Sequence, residues 1–276
     1  KGNVMISDYI RAVEWLEKGI AVGCKNCATM LYQIYIEKNN IHTSSYPINK
    51  LYNPKLAIQY LELADEMGDE KAASLLGSIY LTGSESIKQD FNKALFWFHK
   101  SVEKYEDSYS QGQLAFLYSS ASGSDEIRDD VASVYWANKA SDQGSVQGKD
   151  QLAVSYQWGN GVIQDGNLAI KNLQEIIELG DSQQAINALK NIGYIYSNGF
   201  TNVNRDFQIA IDFYKQAEEL GDKESQFILG KIYLALDDYD SAEKWLVKSG
   251  SNESSLALSN LKKALSGDAE SQLQIG

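Results

Sequence analysis

The chain has 276 residues, 43% of them apolar, with 17 tyrosines and only two prolines, so it can fill a continuous core and has no proline-rich linker to divide it. Its net charge of −12 argues against binding a phosphate backbone, which needs clustered Lys and Arg. No apolar run approaches the roughly 20 residues that a membrane span requires.

From the N-terminus, the first predicted helix opens at Asp8, carries Ala12 and Trp15 and closes at Gly23. These landmarks recur. Openers follow at Asn53, Asp90, Asp129, Asp165, Asp206 and Asp238, and the small residue four further on is Ala57, Ala94, Ser133, Ala169, Ala210 and Ala242. Three beyond that come Tyr60, Trp97, Trp136, Asn172, Phe213 and Trp245, and eleven beyond come Gly68, Tyr105, Gly144, Gly180 and Gly221. Asp or Asn at the opening position predicts an N-cap, accepting a bond from a free helix-start N–H. Steps of three, four and seven keep one helical face, so Trp97 is expected to be buried, and the glycines are expected to end each helix in the left-handed conformation. We term this element helix B.

A second predicted helix, helix A, precedes each later copy. It shows an aliphatic residue, usually a small one next, and tyrosine at plus four. Examples are Leu76-Gly77…Tyr80, Leu114-Ala115…Tyr118, Leu152-Ala153…Tyr156, Ile192-Gly193…Tyr196 and Leu229-Gly230…Tyr233, with Leu31…Tyr35 a variant and Leu258-Ser259 a worn copy. The small residue lets the neighbouring helix approach closely. Seven B helices at intervals of 32 to 45 residues predict one repeat array over residues 1–276. Residues 1–26 supply helix B of an incomplete first unit, 27–251 about six A/B repeats, and 252–276 a partial unit or cap.

Tyr156-Gln-Trp-Gly159-Asn-Gly161-Val162-Ile-Gln-Asp165, followed by Ala169 and Gly180, resembles the signature of the Sel1-like repeat, a cousin of the tetratricopeptide repeat. Phe91-Asn-Lys93-Ala94-Leu-Phe-Trp97-Phe-His-Lys100 resembles its second-helix signature. The resemblance covers nearly the whole chain. It implies an all-α fold, a right-handed α-solenoid (superhelix) of antiparallel helix pairs with helix A on the concave face. It also implies a protein-binding scaffold or adaptor, in bacterial envelopes or organelle quality control. Some bacterial members instead neutralise lipase effectors as immunity proteins, and hydrolytic activity has been proposed for others. Here no HExxH, GxSxG or GxxxxGK[ST] is present, and the two histidines are His42 in a loop and His99 in a helix B. The expectation is a non-enzyme without cofactor or metal, monomeric when unbound.

Cys24 and Cys27 form a CxxC without the further ligands zinc needs. Two readings stay open, small residues at a turn or a local disulfide. The second would suit the periplasm or secretory pathway and free thiols the cytoplasm. Acids bunch at predicted helix ends, among them Asp125, Glu126, Asp129 and Asp130. They read as helix-capping acids on a solvated surface, or as a negative field that steers a basic protein partner.

Repeat alignment points to the binding residues. One before the helix B aromatic, Phe96 and Tyr135 are aromatic where the other units carry Glu14, Gln59, Lys171, Asp212 and Lys244. Two after the helix A aliphatic, Phe116, Val154 and Tyr194 form an apolar ladder between units that keep Gln33, Ser78 and Lys231. Trp158 replaces small or polar residues beside Gly159, either as packing or as contact surface. Asp129 and Asp130 supply a rim. The first A–B connection is inserted between Glu37 and Asn53 and is a further candidate.

Overall fold

The computed structural model describes residues 2–36, 52–84, 86–119 and 125–265. Among them fourteen α-helices follow one another, and the only extended pairing is an isolated bridge between Phe200 and Val203. The chain divides into two compact units, Lys1–Asp129 and Asp130–Gly276. The first holds α1 (Gly2–Ala21), α2 (Lys25–Ile36), α3 (Pro54–Glu66), α4 (Ala72–Thr82), α5 (Phe91–Tyr105) and α6 (Ser108–Tyr118). The second holds α7 (Asp130–Asp142), α8 (Val146–Trp158), α9 (Gly166–Leu179), α10 (Ser182–Asn198), α11 (Phe207–Glu219), α12 (Lys223–Ala235), α13 (Tyr239–Ser249) and α14 (Asn252–Leu265). Odd-numbered helices are the predicted B helices and even-numbered ones the A helices. Within each unit every helix packs on the next, the helix-pair architecture of an α-solenoid.

Local chemistry sets the helix starts. The side chains of Asn53, Asp90, Asp165, Asp206 and Asp238 accept from backbone amides in the first turn of their B helices. Asp129 directly precedes α7. Asp8 does not open a helix: α1 already runs from Gly2, so Asp8 is an interior position. The N-cap residue also makes a second bond. Its own amide donates to the carbonyl of the helix A tyrosine, from Asn53 to Tyr35 (2.9 Å), Asp90 to Tyr80 (2.8 Å), Asp129 to Tyr118 (2.9 Å), Asp165 to Tyr156 (2.9 Å), Asp206 to Tyr196 (2.8 Å) and Asp238 to Tyr233 (3.0 Å). Each A–B connection closes on the same bond, whatever its length. That bond absorbs the length variation and keeps the helix pair in register.

Helix ends follow the glycines with two exceptions. Gly23, Gly68, Gly144 and Gly221 have positive φ. Where Tyr105 replaces glycine, α5 runs to it and Glu106 takes the left-handed conformation (φ 51°). Gly180 is extended, with φ −81°. A Cβ there would lie 2.7 Å from the Ile176 carbonyl oxygen, so close approach rather than φ requires the missing side chain.

The core register differs from the expected one by one residue. Trp97 is half-buried, while Phe98 beside it has no exposure. Leu61, Ala137, Leu173, Tyr214 and Leu246 occupy the same position, four after the landmark small residue, and are all buried. The small residue of helix A faces this position: a Cβ on Gly77 would lie 2.7 Å from the Phe98 ring, one on Gly193 2.8 Å from Tyr214, and one on Gly230 2.7 Å from Leu246. The aromatics one position earlier flank the core and stack on helix A tyrosines, Tyr35 on Tyr60 (5.6 Å) and Tyr196 on Phe213 (6.1 Å).

Candidate functional site

The expected contact residues fall on both units. Phe116 lies on α6 in the first unit, and Val154 and Tyr194 lie on α8 and α10 in the second. Phe116 and Val154 are half-buried, whereas Tyr194 is 42% exposed. Phe96 on α5 is 60% exposed and Tyr135 on α7 54% exposed. Each stands edge-on to the tryptophan that follows it, Trp97 at 5.2 Å and Trp136 at 5.0 Å. Asp129 is exposed just ahead of α7, and Asp130 is half-exposed in its first turn.

The second unit gathers part of this set. Trp158, the last residue of α8, is 53% exposed. Its ring meets that of Phe200 at 5.5 Å, and Phe200 meets Tyr194 at 6.0 Å. Val154 lies one turn before Trp158 on the same face of α8.

Phe200 was not singled out from sequence, because it lies in the A–B connection and outside the helical register. Its position is built locally. Gly199 turns the chain with φ +73°, and the Phe200 and Val203 amides donate to each other's carbonyl at 2.9 and 2.8 Å. That connection is tied to the preceding one. Thr201 Oγ1 donates to Gln164 Oε1 (2.6 Å), Asn202 Nδ2 donates to Asp165 Oδ2 (2.9 Å), and the Gly166 amide donates to the Thr201 carbonyl (2.8 Å). The three rings therefore sit on a hydrogen-bonded frame.

Many acids are committed inside their own unit. Buried Asp65 pairs with Lys100 at 2.5 Å, and Asp69 accepts from Thr29 Oγ1 (2.5 Å) and the Lys71 amide (2.9 Å). Glu218 pairs with Lys248 at 2.9 Å, Asp222 caps α12, and Lys190 pairs with both Asp222 and Glu224. Hydrogen bonds to Gln226 and Lys248 hold the Glu218 carboxyl below the usual range. The Leu168 amide does so for Asp165. Buried Lys149 on α8 donates to Glu175 on α9 and to Ser141 Oγ on α7, and this hydrogen bond depresses the Glu175 carboxyl. Asp165 and Asp222 cap helices, as the capping reading expects, whereas Asp65 and Asp69 are buried rather than solvated.

Cys24 and Cys27 are joined in a disulfide at the α1–α2 turn, so the reading of two unlinked turn residues gives way. The bridge packs on Gly19, where a Cβ would lie 2.6 Å from Cys27 Sγ. Among the described residues no His, Cys, Asp or Glu group is arranged to hold a metal, and no helix is long and apolar enough to cross a membrane. His99 shares a 2.9 Å hydrogen bond with the Tyr118 hydroxyl. His42 and most of the Glu37–Asn53 insertion lie outside the described residues.

Comparison with known proteins agrees with this geometry. The Sel1 repeat model matches residues 1–24, 46–69, 70–105, 108–145, 150–181 and 186–222, more than half of the chain. A protective antigen of uropathogenic Escherichia coli displaying an SLR fold is similar at 23% identity and a TM-score of 0.58. The match covers 93% of this chain and 60% of that one, so the chain spans about three-fifths of that protein's length. A Sel1 repeat protein from Oxalobacter formigenes is similar at 23% identity and a TM-score of 0.58, over 90% of this chain and 97% of that one. At such identities the likeness concerns the fold alone. No curated protein matches the chain significantly by sequence.

Proposed function

Because the chain belongs to the Sel1 repeat family, whose members are generally protein-interaction scaffolds, we propose that it is a non-catalytic scaffold holding a partner protein on its helix A face. The observation that carries this reading is the repeat alignment, in which Phe116 of the first unit and Val154 and Tyr194 of the second are apolar at one repeat position where Gln33, Ser78 and Lys231 stand elsewhere. Exposed Tyr194, next to Trp158 and Phe200, supports it, since clustered exposed aromatics mark contact surfaces. The net charge of −12 favours a basic partner, with Asp129 and Asp130 at the rim.

Site-specific photo-crosslinking in the source cells tests it. A benzophenone side chain in place of Tyr194 should trap one partner, and the same group in place of Lys171, on a B helix, should not. Titration of the trapped partner then separates anchor from rim. Phe116→Ala with Tyr194→Ala should weaken binding about thirtyfold, in line with a loss of about 2 kcal/mol at a buried aromatic anchor. Asp129→Asn with Asp130→Asn should act chiefly on association at low salt. No adduct from Tyr194, or a double alanine variant that binds as tightly as wild type, refutes the reading.

A further inference from the structure

We infer that the Trp158–Phe200–Tyr194 cluster receives an arginine or lysine side chain of a basic segment from another protein. This rests on the reading that the helix A face of the second unit holds a partner, and it names the chemistry of that contact.

The ground is that three rings without a cation of the chain's own are gathered in one place. Some rings elsewhere are covered by internal cations, Trp15 by Lys18 at 5.0 Å, Tyr135 by Lys139 at 6.0 Å, Phe227 by Lys231 at 5.8 Å and Trp245 by Lys248 at 4.7 Å, while exposed Phe96 and Tyr109 are covered by none among the described residues. Among the described residues no Lys or Arg lies over Trp158, Phe200 or Tyr194, although Trp158 and Tyr194 are 53% and 42% exposed. The cations nearest in sequence are engaged elsewhere. Arg205, in the same connection as Phe200, lies over Phe207 at 5.2 Å, and Lys190, one turn before Tyr194, is held by Asp222 and Glu224. A ring face that is electron-rich, solvent-facing and without an internal cation is a ready site for an external one.

Charge points the same way. Asp150, Val154 and Trp158 repeat at a spacing of four on α8, so the carboxylate shares the tryptophan's face about 12 Å away along the helix. Asp150 is exposed on α8 and open to an approaching cation. Asp165 holds the connection beside Phe200 and keeps its charge, since amide hydrogen bonds depress its carboxyl. An extended segment with two basic residues about four apart spans from the ring cluster to Asp150.

The test uses the intact protein and two synthetic twelve-residue peptides. One carries two arginines four apart among serines and a leucine, and the other has citrulline at both positions. Citrulline keeps the planar shape and removes the charge. The expectation is saturable binding of the arginine peptide by calorimetry, at least tenfold tighter than the citrulline peptide. Trp158→Leu, which keeps an apolar side chain, and Asp150→Asn should each weaken it by about three- to tenfold with the helical circular dichroism unchanged. Citrulline binding as tight as arginine, no binding of the arginine peptide up to millimolar concentration, or a Trp158→Leu variant indistinguishable from wild type overturns the inference. The Tyr194 crosslink is scored separately. An adduct together with indifference to citrulline retires the cationic anchor and leaves the scaffold reading in place, whereas the absence of an adduct retires both.

Discussion

The Phe98 ring occupies the space where a side chain on Gly77 would begin, 2.7 Å from the ideal Cβ position. A helix A glycine and the helix B residue four past the landmark alanine thus pack directly on one another. Phe98→Ala should cost about 3–5 kcal/mol, because the ring is wholly enclosed and leaves a cavity. Gly77→Ala should cost about 1–3 kcal/mol by overpacking. Trp97→Ala, at a half-buried ring, should cost clearly less than Phe98→Ala. Urea denaturation of the three variants checks the order, and a larger loss from Trp97→Ala would refute this register.

The caps give a second test. Asp206→Ala removes a side chain that accepts from the Gln208 and Ile209 amides, at 2.9 and 3.1 Å, and should cost about 1 kcal/mol. Urea denaturation checks it, and a change within about 0.5 kcal/mol would refute the cap.

The repeat landmarks made the helix order legible because each expresses a local rule: an N-cap, a left-handed end, a small residue at a crossing. The placement of Trp97 was not legible, because positions three and four after Ala94 lie on almost the same side of a helix and only the neighbouring helix chooses between them. The solvent-facing ring of Trp158 was half legible, as a break in the pattern. Phe200 was not, since loop glycines and hydrogen bonds between successive connections place it, and those have no period. The disulfide depends on the Cys24–Cys27 separation across the turn, 5.4 Å between Cα atoms, which the CxxC spacing permits but does not require.

His99 predicts a pH dependence. Burial lowers its pKa from the usual 6.5, opposed in part by the Glu103 charge. The folded state therefore binds this proton less readily than the unfolded chain. The stabilisation is present above about pH 6.5 and is lost as pH falls through the depressed value. His99→Gln should flatten the decline in unfolding free energy between neutral pH and about pH 5. A second decline below the ordinary 4.5 of a glutamate should persist, because Glu175 and Glu218 have depressed carboxyls in the folded chain. An unchanged slope above pH 5 in His99→Gln would assign that decline to another group.

Lys149 gives the last prediction. Its side chain is buried on α8 and bound to Glu175 of α9 and Ser141 of α7, so it links three consecutive helices of the second unit. Enclosing an ammonium costs desolvation energy, and the partner carboxylate offsets it only while both are present. Glu175→Ala leaves the ammonium enclosed without its counter-ion. Solvent reaches the pair from the glutamate side, which is 38% exposed, so the loss should fall below the range for a fully buried pair, at about 1–3 kcal/mol. Lys149→Met replaces the stem with an apolar chain of similar length and removes the charge along with its desolvation cost. That variant should be neutral or slightly stabilising. The double variant should match Lys149→Met alone, since the glutamate is free to meet solvent once the ammonium is gone. Thermal midpoints of the three variants decide it: a Lys149→Met loss as large as that of Glu175→Ala would show that the ion pair is a net source of stability in this repeat.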